Sequence, residues 1–514
     1  MTNDDIWPLF ERRVASSPDR LFAVDEFGTE CTFAQARTSV LGMAGRLAAS
    51  GVGAGTVVSW QLPNWLEALH LTLALSRLQA TQNPIVSILR AREVGFITRQ
   101  AQSSVLIVPD RHGEFDYVAM ARELAATQPG LSILVARDDL LNGPQVPLAA
   151  YVEAPSTAVR WLFYTSGTTA DPKGVCHTDA SVIAGAVGFV KALTITPDDR
   201  VSLILPVTHI GGIIHVLATL LTGAPMIAAA SFHPEHTVRY LRDQGATTLP
   251  GGMPFIHAYF AFQHQFPEVA PLFPVARLLA HGGAPKPPSL HYEAKRRLGT
   301  AGIVSGYGMT ECPMAIWNRP EDSDQDLANT EGCPVPGVEM RVVTAAGVLA
   351  EVDEEGEVRV RGPQLMQGYV DQALNLGALD ADGFFRSGDL GTLDTSGRLT
   401  ITGRLKDIII RNMENISARE LENLLHAHPG VSEVAVIGLP DALTGERVCA
   451  VVVARDSASP PTCEELCAYL LDCGLSTRKL PERLEIVSSL PRNAMEKILK
   501  NELRARFSTE INSV

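Results

Sequence analysis

Residues 164–174 read YTSGTTADPKG, setting the hydroxyls of Thr165, Ser166, Thr168 and Thr169 around Gly167 and ending on Lys173 and Gly174. Hydroxyls and exposed backbone N–H groups in a tight loop make a nest for an anion, and a lysine adds the positive charge that phosphate oxygens attract. The segment does not match the GxxxxGK[ST] phosphate loop. Short hydroxyl clusters are ordinarily surface turns; the length and order of this one set it apart. Glu311 ends SGYGMTE at residues 305–311 and offers carboxylate oxygen, which a hard divalent cation shares readily with phosphate. Asp389, in RSGDLG, presents two acceptors in one plane, an arrangement that suits a vicinal diol, although Gly-Asp is also a plain turn signal. Lys497, in PRNAMEKILK, stands where a lysine is ordinarily a solvated surface group.

In this order, these segments resemble the signature of the adenylate-forming superfamily, which contains acyl-CoA synthetases, peptide-synthetase adenylation domains and beetle luciferases. The family pattern for the loop is YTSGTTGxPKG; this chain departs at Ala170, which resists the positive φ that Gly adopts freely. The resemblance covers nearly the whole chain and points to the AMP-dependent acyl-CoA synthetase branch. A weaker similarity, in WQLPNW and NPIV, is to ligases for cyclohexanecarboxylate and medium-chain acids.

The resemblance implies roles for individual residues. Thr165, Ser166, Gly167, Thr168, Thr169 and Lys173 are expected at the ATP phosphates. Gly283, Ala284 and Pro285, from HGGAP, are expected around the adenylate with Gly306, Tyr307, Gly308 and Met309. Thr310 is expected at the phosphate, Glu311 on Mg2+, Asp389 on the ribose hydroxyls and Arg404 at ribose or phosphate. Lys497 is the expected catalytic lysine, reaching the α-phosphate and carboxylate oxygens as charge develops on them, with Lys500 as the fallback.

For the acyl pocket, the expected residues are His209, Gly211, Gly212, Met253, Gly282, Gly306 and Met314, with Met309 and Pro313 as further apolar candidates. Gly306, with Gly282 and Gly283 nearby, is expected to leave volume for a carbon chain or ring. His209 is expected to gate the pocket or contact the substrate; a satisfied buried histidine is the equal alternative. No Asp or Lys stands where an amino-acid-activating domain would meet an α-ammonium. A hydrophobic acid, alicyclic, aryl or medium-chain, is therefore favoured.

The implied reaction is ATP-dependent formation of acyl-AMP, then transfer to CoA, with Mg2+ as cofactor. Two alternatives are an adenylating enzyme that loads a carrier-protein thiol and a nucleotide-binding homologue weakened in catalysis. Lys406 takes the hinge position about which a C-terminal domain would rotate between the two steps. Asn412-Met413 stands where relatives commonly have Gly-Gly, Ser417-Ala418 replaces Tyr-Pro, and Glu496 replaces the Gly before the lysine. These departures bear on thiolation more than on adenylation.

The elements that must position these groups alternate between helical and strand patterns. Helical spacing runs over residues 33–50 and 64–80; β-branched runs at 56–62, 104–108, 132–136 and 159–167 read as strands, the last leading into the loop. Residues 339–402 change to short alternating strands with Gly/Asp turns. The expected fold is α/β: a large N-terminal domain, residues 1–402, of two α/β subdomains plus a small distorted β-barrel. A hinge at 403–407 and a small mobile C-terminal α+β domain at 408–514 follow.

A chain of 514 residues has room for several such units, and 46% hydrophobic against 19% charged residues permits a large core. The formal net charge of −14 argues against nucleic acid as a partner. The eight cysteines contain no C-x-x-C pair, and Cys463 and Cys467, one helical turn apart, lack a second ligand pair. Buried reduced thiols in a cytoplasmic protein are expected. The most apolar stretch, residues 211–230, is broken by His215, Thr219, Thr222 and Pro225, so a buried helix followed by a strand is expected rather than a membrane span. The acidic N-terminus predicts no signal peptide. A homodimer is left open.

Overall fold

The computed structural model describes residues 5–153, 155–165, 172–267, 271–283, 286–411, 414–441, 444–493 and 497–508. At the middle of a seven-stranded sheet, Val57–Trp60 and Thr81–Pro84 lie parallel to each other. Val105–Val108 and Ser132–Val135 continue the parallel order on one side, and Val159–Thr165 on the other. Val159–Thr165 then turns back antiparallel into Lys173–Thr178, with Thr165 opposite Lys173. The two ends of the hydroxyl-rich segment, Tyr164–Thr165 and Lys173–Gly174, are thus paired across one hairpin.

A nine-stranded sheet runs parallel from Leu21–Val24 through Met226–Ala228, Val201–Leu203, Thr248–Pro250 and Leu278–Gly282 to Ile303–Met309. It then reverses into Cys312–Trp317. All four residues of Val105–Val108 are buried, as expected where a parallel sheet is covered on both faces. The largest apolar cluster joins the two sheets, from Trp60 and Trp161 on one to Leu203 and Val304 on the other. Asn64 stitches them together: its Nδ2 donates to the carbonyls of Leu203, Leu205 and Ala229, and its Oδ1 accepts from the Val207 N–H at 2.7 Å. A buried amide left unpaired would cost on the order of 1–3 kcal/mol per group, so this fourfold satisfaction fixes the mutual placement of the sheets.

The predicted helix at 33–50 spans Phe33–Ala49 and begins with a capping box, Thr32 and Gln35 exchanging side-chain-to-backbone hydrogen bonds. The apolar stretch at 211–230 divides, as expected, into the helix Ile210–Thr222 and the strand Met226–Ala228, separated by Gly223 in the left-handed region (φ 80°). Among the described residues no helix is long and apolar enough to cross a membrane.

Glu339–Val343, Gly356–Arg361, Phe385–Leu393 and Leu399–Arg404 form a four-stranded antiparallel sheet. After one 3-10 turn, Leu405–Asp407, the strand Ile408–Arg411 opens a separate five-stranded sheet. Its long hairpin, Val431–Asp441 with Gly445–Ala454, alternates beyond a register shift between Val431 and Glu433. Val434, Val436 and Val448 face one apolar cluster together with the helices Ala418–His426 and Cys463–Asp472; Ala435, Ile437 and Val451 face another with Leu503 and Phe507. The architecture is mixed α/β, with a large N-terminal part and a smaller C-terminal part.

The thiols depart from the uniform burial expected of them. Cys31, Cys312 and Cys449 are buried, but Cys463 and Cys467 are half-buried with both sulfurs against the Pro481 carbonyl, and Cys473 is exposed where it caps its helix. All eight are free.

Candidate active site

Lys173, at the return of the hairpin, places its Nζ 5.9 Å from the centre of the Tyr369 ring. The next residue must be glycine: a Cβ on Gly174 would lie 2.7 Å from Tyr164 Cζ and 2.8 Å from Val370 Cγ2. Burial raises the Tyr164 phenol well above its ordinary range, and its hydroxyl has no partner among the described residues. Ser166, Gly167, Thr168, Thr169 and Ala170, like Ala284, Pro285, Met413 and Glu496, lie outside the described residues.

Thr310 and Glu311 form the turn between Ile303–Met309 and Cys312–Trp317. The turn is held from beneath by His177, a residue the sequence reading passed over. His177 Nε2 donates to the Thr310 carbonyl at 2.7 Å, so its Nδ1 accepts from the Ser181 hydroxyl at 2.9 Å. Burial pushes His177 down to about 4, which keeps it neutral and keeps this tautomer. The nearest sequence signal was the Thr178–Ser181 capping pair, which marks the start of the helix Asp179–Ala192 but says nothing of a carbonyl 133 residues away.

Glu311 is half-buried and accepts from the Tyr369 hydroxyl at 2.7 Å through Oε1, leaving Oε2 without a partner among the described residues. No cluster of three His, Cys, Asp or Glu side chains occurs among the described residues. One oriented carboxylate with a vacant oxygen fits Mg2+, which keeps water and phosphate as its other ligands rather than sitting in an all-protein cage.

Asp389 is buried and doubly engaged. Arg404 Nε lies 2.5 Å from Oδ1, and the Tyr307 hydroxyl donates to Oδ2 at 2.8 Å. The register that pairs Asp389 with Arg404 across adjacent strands makes this contact automatic. Both residues line a cleft of about 240 Å³ with Glu357, Arg386, Ser387 and Lys406. Lys497 faces the same group. Desolvation pulls its ammonium down to about 8, with the positive charges of Arg404 and Lys406 lowering it further and the carboxylates of Asp389 and Asp407 opposing them. A reciprocal pair of hydrogen bonds with Asn493 sets its backbone, one from the Lys497 N–H to Asn493 Oδ1 and one from the Asn493 N–H to the Lys497 carbonyl. Lys500 is occupied elsewhere, its Nζ 2.7 Å from Glu422 Oε1. Among the described residues, Ser417 Oγ donates to the Thr402 carbonyl and Arg419 pairs with Glu331 at 3.7 Å, tying this C-terminal part to the rest.

Of the expected acyl pocket, the structure brings together His209, Gly211 and Met314. His209 caps the helix Ile210–Thr222, its Nδ1 accepting from the Gly211 N–H at 3.1 Å, and burial pulls its imidazole down to about 4. A Cβ on Gly211 would lie 3.2 Å from that Nδ1 and 4.0 Å from Met314 Cε. Met314 itself is held in the left-handed region at φ 51°.

Gly306 does not leave the volume expected of it, and Gly212 is closely packed as well. A Cβ on Gly306 would stand 2.2 Å from the Trp317 indole, its cross-strand partner, which fills the space. A Cβ on Gly212 would stand 2.3 Å from the Pro206 carbonyl oxygen, so its smallness serves helix-to-loop packing. Gly308 is likewise needed for close approach, here to the Met314 nitrogen. Gly282 faces the Gly306 carbonyl, and Gly283, at φ 80°, has open space about it. Met253 packs against a different apolar cluster, the one containing Ile204, Leu249 and Phe255; Met309 pairs across the sheet with Cys312.

Known proteins match this chain over almost its full length. The AMP-binding enzyme model matches residues 10–370, and the AMP-binding enzyme C-terminal domain model matches residues 420–497. The medium-chain fatty-acid–CoA ligase of Escherichia coli (strain K12) is 29% identical over 97% of this chain and 89% of that protein. A feruloyl-CoA synthase of Amycolatopsis sp is 33% identical over 98% of each. ATP-bound MatB from Rhodopseudomonas palustris superimposes with a TM-score of 0.87 at 28% identity, covering 98% of this chain and 99% of that one; for apo MatB the TM-score is 0.76. The chain belongs to the AMP-binding enzyme family, in its adenylate-forming acyl-CoA synthetase branch, and is an AMP-forming acid–thiol ligase.

Proposed function

We propose that the chain activates a hydrophobic carboxylic acid, alicyclic, aryl or medium-chain, and transfers it to CoA. The observation that carries this reading is the position of Lys497, from the C-terminal part, against the Asp389–Arg404 pair of the N-terminal part. That is where an ammonium must be if nucleotide and acid are to react beneath it. The better superposition on ATP-bound than on apo MatB supports the same arrangement. Among the described residues the groups against Gly211 are His209, held neutral by burial, and Met314, which favours an uncharged acyl group.

In the first half-reaction an oxygen of the acid attacks the α-phosphorus of ATP; the new O–P bond forms as the bond to pyrophosphate breaks. Lys497 meets charge that grows on the carboxylate and α-phosphate oxygens, so its contribution is larger in the transition state than in the ground state. The ribose diol takes the acceptors of Asp389, which releases Arg404 from its pair toward ribose or phosphate. His177 holds the Thr310 carbonyl and so the turn that aims Thr310 and Glu311. When bound at Glu311, Mg2+ supplies neutralising charge to the phosphate oxygens. In the second half-reaction rotation about Lys406 withdraws Lys497, the CoA thiol attacks the acyl carbon, and AMP leaves with the electron pair. Free thiols throughout fit a reducing, cytoplasmic setting.

The test is pyrophosphate release over a panel of cyclohexanecarboxylate, benzoates and C6–C12 acids, with and without CoA. Release with at least one acid and CoA-dependent thioester formation are expected. A folded, ATP-binding protein that releases pyrophosphate with none of them overturns the reading.

A further inference from the structure

The segment that carries Lys497 closes on itself and leads straight into a helix. Besides the reciprocal bonds between Asn493 and Lys497, the Leu499 N–H donates to the Pro491 carbonyl at 2.8 Å. The helix Lys500–Ser508 follows, beginning three residues after Lys497. Its inner face buries Leu503 and Phe507 in the cluster that Ala435, Ile437 and Val451 of the long hairpin form. Lys500 ties its first turn to Glu422. One turn farther on, Arg504 Nη2 donates to Asp407 Oδ1 at 2.9 Å, and Nη1 of the same guanidinium donates to Asn501 Oδ1 at 2.9 Å. The fork is thus set from both sides, and both members of the ion pair are half-buried.

Asp407 ends the turn Leu405–Asp407 and directly follows Lys406, the expected pivot. Burial would raise its carboxyl, but Lys500, the bond from Arg504 and the charge of Arg404 outweigh burial and hold it below its ordinary range, so it is ionised. On the other side of the pivot Arg404 is bound to Asp389. The two ion pairs therefore bracket Leu405 and Lys406, one within the N-terminal part and one within the C-terminal part. The second joins the residue beside the pivot to the helix beside Lys497. A part that turns about Lys406 returns Lys497 to the same point only if the span from pivot to lysine is fixed. The apolar contacts of Leu503 and Phe507 hold the helix against the sheet without fixing its direction, whereas a forked guanidinium on a carboxylate is directional.

We propose that Arg504 is a positioning residue for acyl-adenylate formation: through Asp407 it braces the Lys497 segment against the pivot and sets the depth at which Lys497 enters the Asp389–Arg404 cleft. This rests on the acyl-activating function proposed above. Burial is the first cause that lowers the Lys497 ammonium, ahead of Arg404 and Lys406; Asp389 and Asp407 oppose them, and Lys173 faces Lys406. A lysine that slips out of the cleft therefore titrates higher.

Arg504→Met removes the fork and keeps much of the side-chain length. With the best acid of the panel above, it is expected to lower kcat for pyrophosphate release by about tenfold or more, since misplacing a catalytic group acts on the reacting step. The Kd for ATP should change by less than about threefold. Thioester formation from synthetic acyl-AMP, a step from which Lys497 is withdrawn, should stay within about threefold of wild type. Arg504→Lys, which keeps the charge, should recover part of the loss. Asp407→Asn should match Arg504→Met, and the double variant should fall no more than about twofold below the lower single, because both break one contact. A second readout needs no turnover: the pH midpoint for acetylation of Lys497 by acetic anhydride, followed by mass spectrometry on protein shown to be folded by circular dichroism. The midpoint is expected near about 8 in the wild type and in Arg504→Lys, and to move toward the ordinary 10.5 in Arg504→Met. Unchanged pyrophosphate release or an unchanged midpoint in folded Arg504→Met overturns the proposal, as does an equal loss of both half-reactions. If Arg504→Met does not fold, Arg504→Gln carries both readouts in its place. A shifted midpoint in a chain whose wild type releases pyrophosphate with no acid upholds the brace and overturns the activity instead.

Discussion

Lys497 sits between two cations and two carboxylates in a partly desolvated cleft, and this sets the pH range in which it can act. Its ammonium exists below about 8 and is lost above it, so kcat/KM for ATP, which reports the free enzyme, is expected to fall as pH rises through about 8. Lys497→Arg should abolish that fall, because a guanidinium does not titrate there. Lys497→Ala should lower pyrophosphate release by about 10²–10³-fold, the usual loss when one preorganised donor is removed from developing charge. His177 acts one shell away. His177→Leu leaves the Thr310 carbonyl and the Ser181 hydroxyl without their partner. The expected outcome is a loss of about 1–3 kcal/mol in urea unfolding and a higher Mg2+ concentration for half-maximal activity, while the Kd for the acid alone stays unchanged.

At the scale of elements, the chain was readable wherever periodicity decides burial. The helix Phe33–Ala49 and the division of residues 211–230 into helix and strand follow from spacing and from Gly51 and Gly223 as stops. Glu311 and Asp389 were named by the resemblance, and the fold sets a tyrosine hydroxyl on each carboxylate, Tyr369 on one and Tyr307 on the other. The site was not readable where function depends on what crosses from another element. Gly306 looks like empty volume until the register places Trp317 opposite it, and His177 looks like a core histidine until the fold brings Thr310 above it. Gly212 carries the same lesson. Gly212→Ala must push against backbone at Pro206 and Val207, which cannot rotate away, and is expected to destabilise by about 1–3 kcal/mol in thermal or urea unfolding. A merely pocket-lining glycine would change acid selectivity and leave stability alone.

For the whole molecule, the proposed mechanism requires the C-terminal part both to hold Lys497 in place and to leave. Two of its ties, Ser417 to Thr402 and Arg419 to Glu331, are one neutral hydrogen bond and one long ion pair, weak enough to exchange. Lys406→Pro fixes φ near −65° at the expected pivot. It should leave single-turnover pyrophosphate release within about fivefold but slow thioester formation by more than about tenfold. Stability should depend on acidity through buried histidines. His70, His177 and His209 are all held down to about 4, against an ordinary 6.5, so the folded state binds fewer protons than the unfolded chain between those values. Their stabilisation is complete above about 6.5 and is lost as pH falls toward about 4. Asp179, raised to about 6 by burial, works in the opposite direction, but alone. A lower Tm at pH 5 than at pH 7 in scanning fluorimetry is therefore expected.

Met314 gives this last point an evolutionary form. A bulky side chain at φ 51° is strained by on the order of 1 kcal/mol, and here the strain turns a methionine toward the start of the acyl helix. Under selection for heat resistance alone, position 314, like Thr194 at the same φ of 51°, is one where a lineage would gain by drifting toward Asn or Gly, which tolerate that backbone. Such descendants would keep the fold and lose the side chain that reaches toward Gly211, and with it one wall of the acyl pocket proposed above.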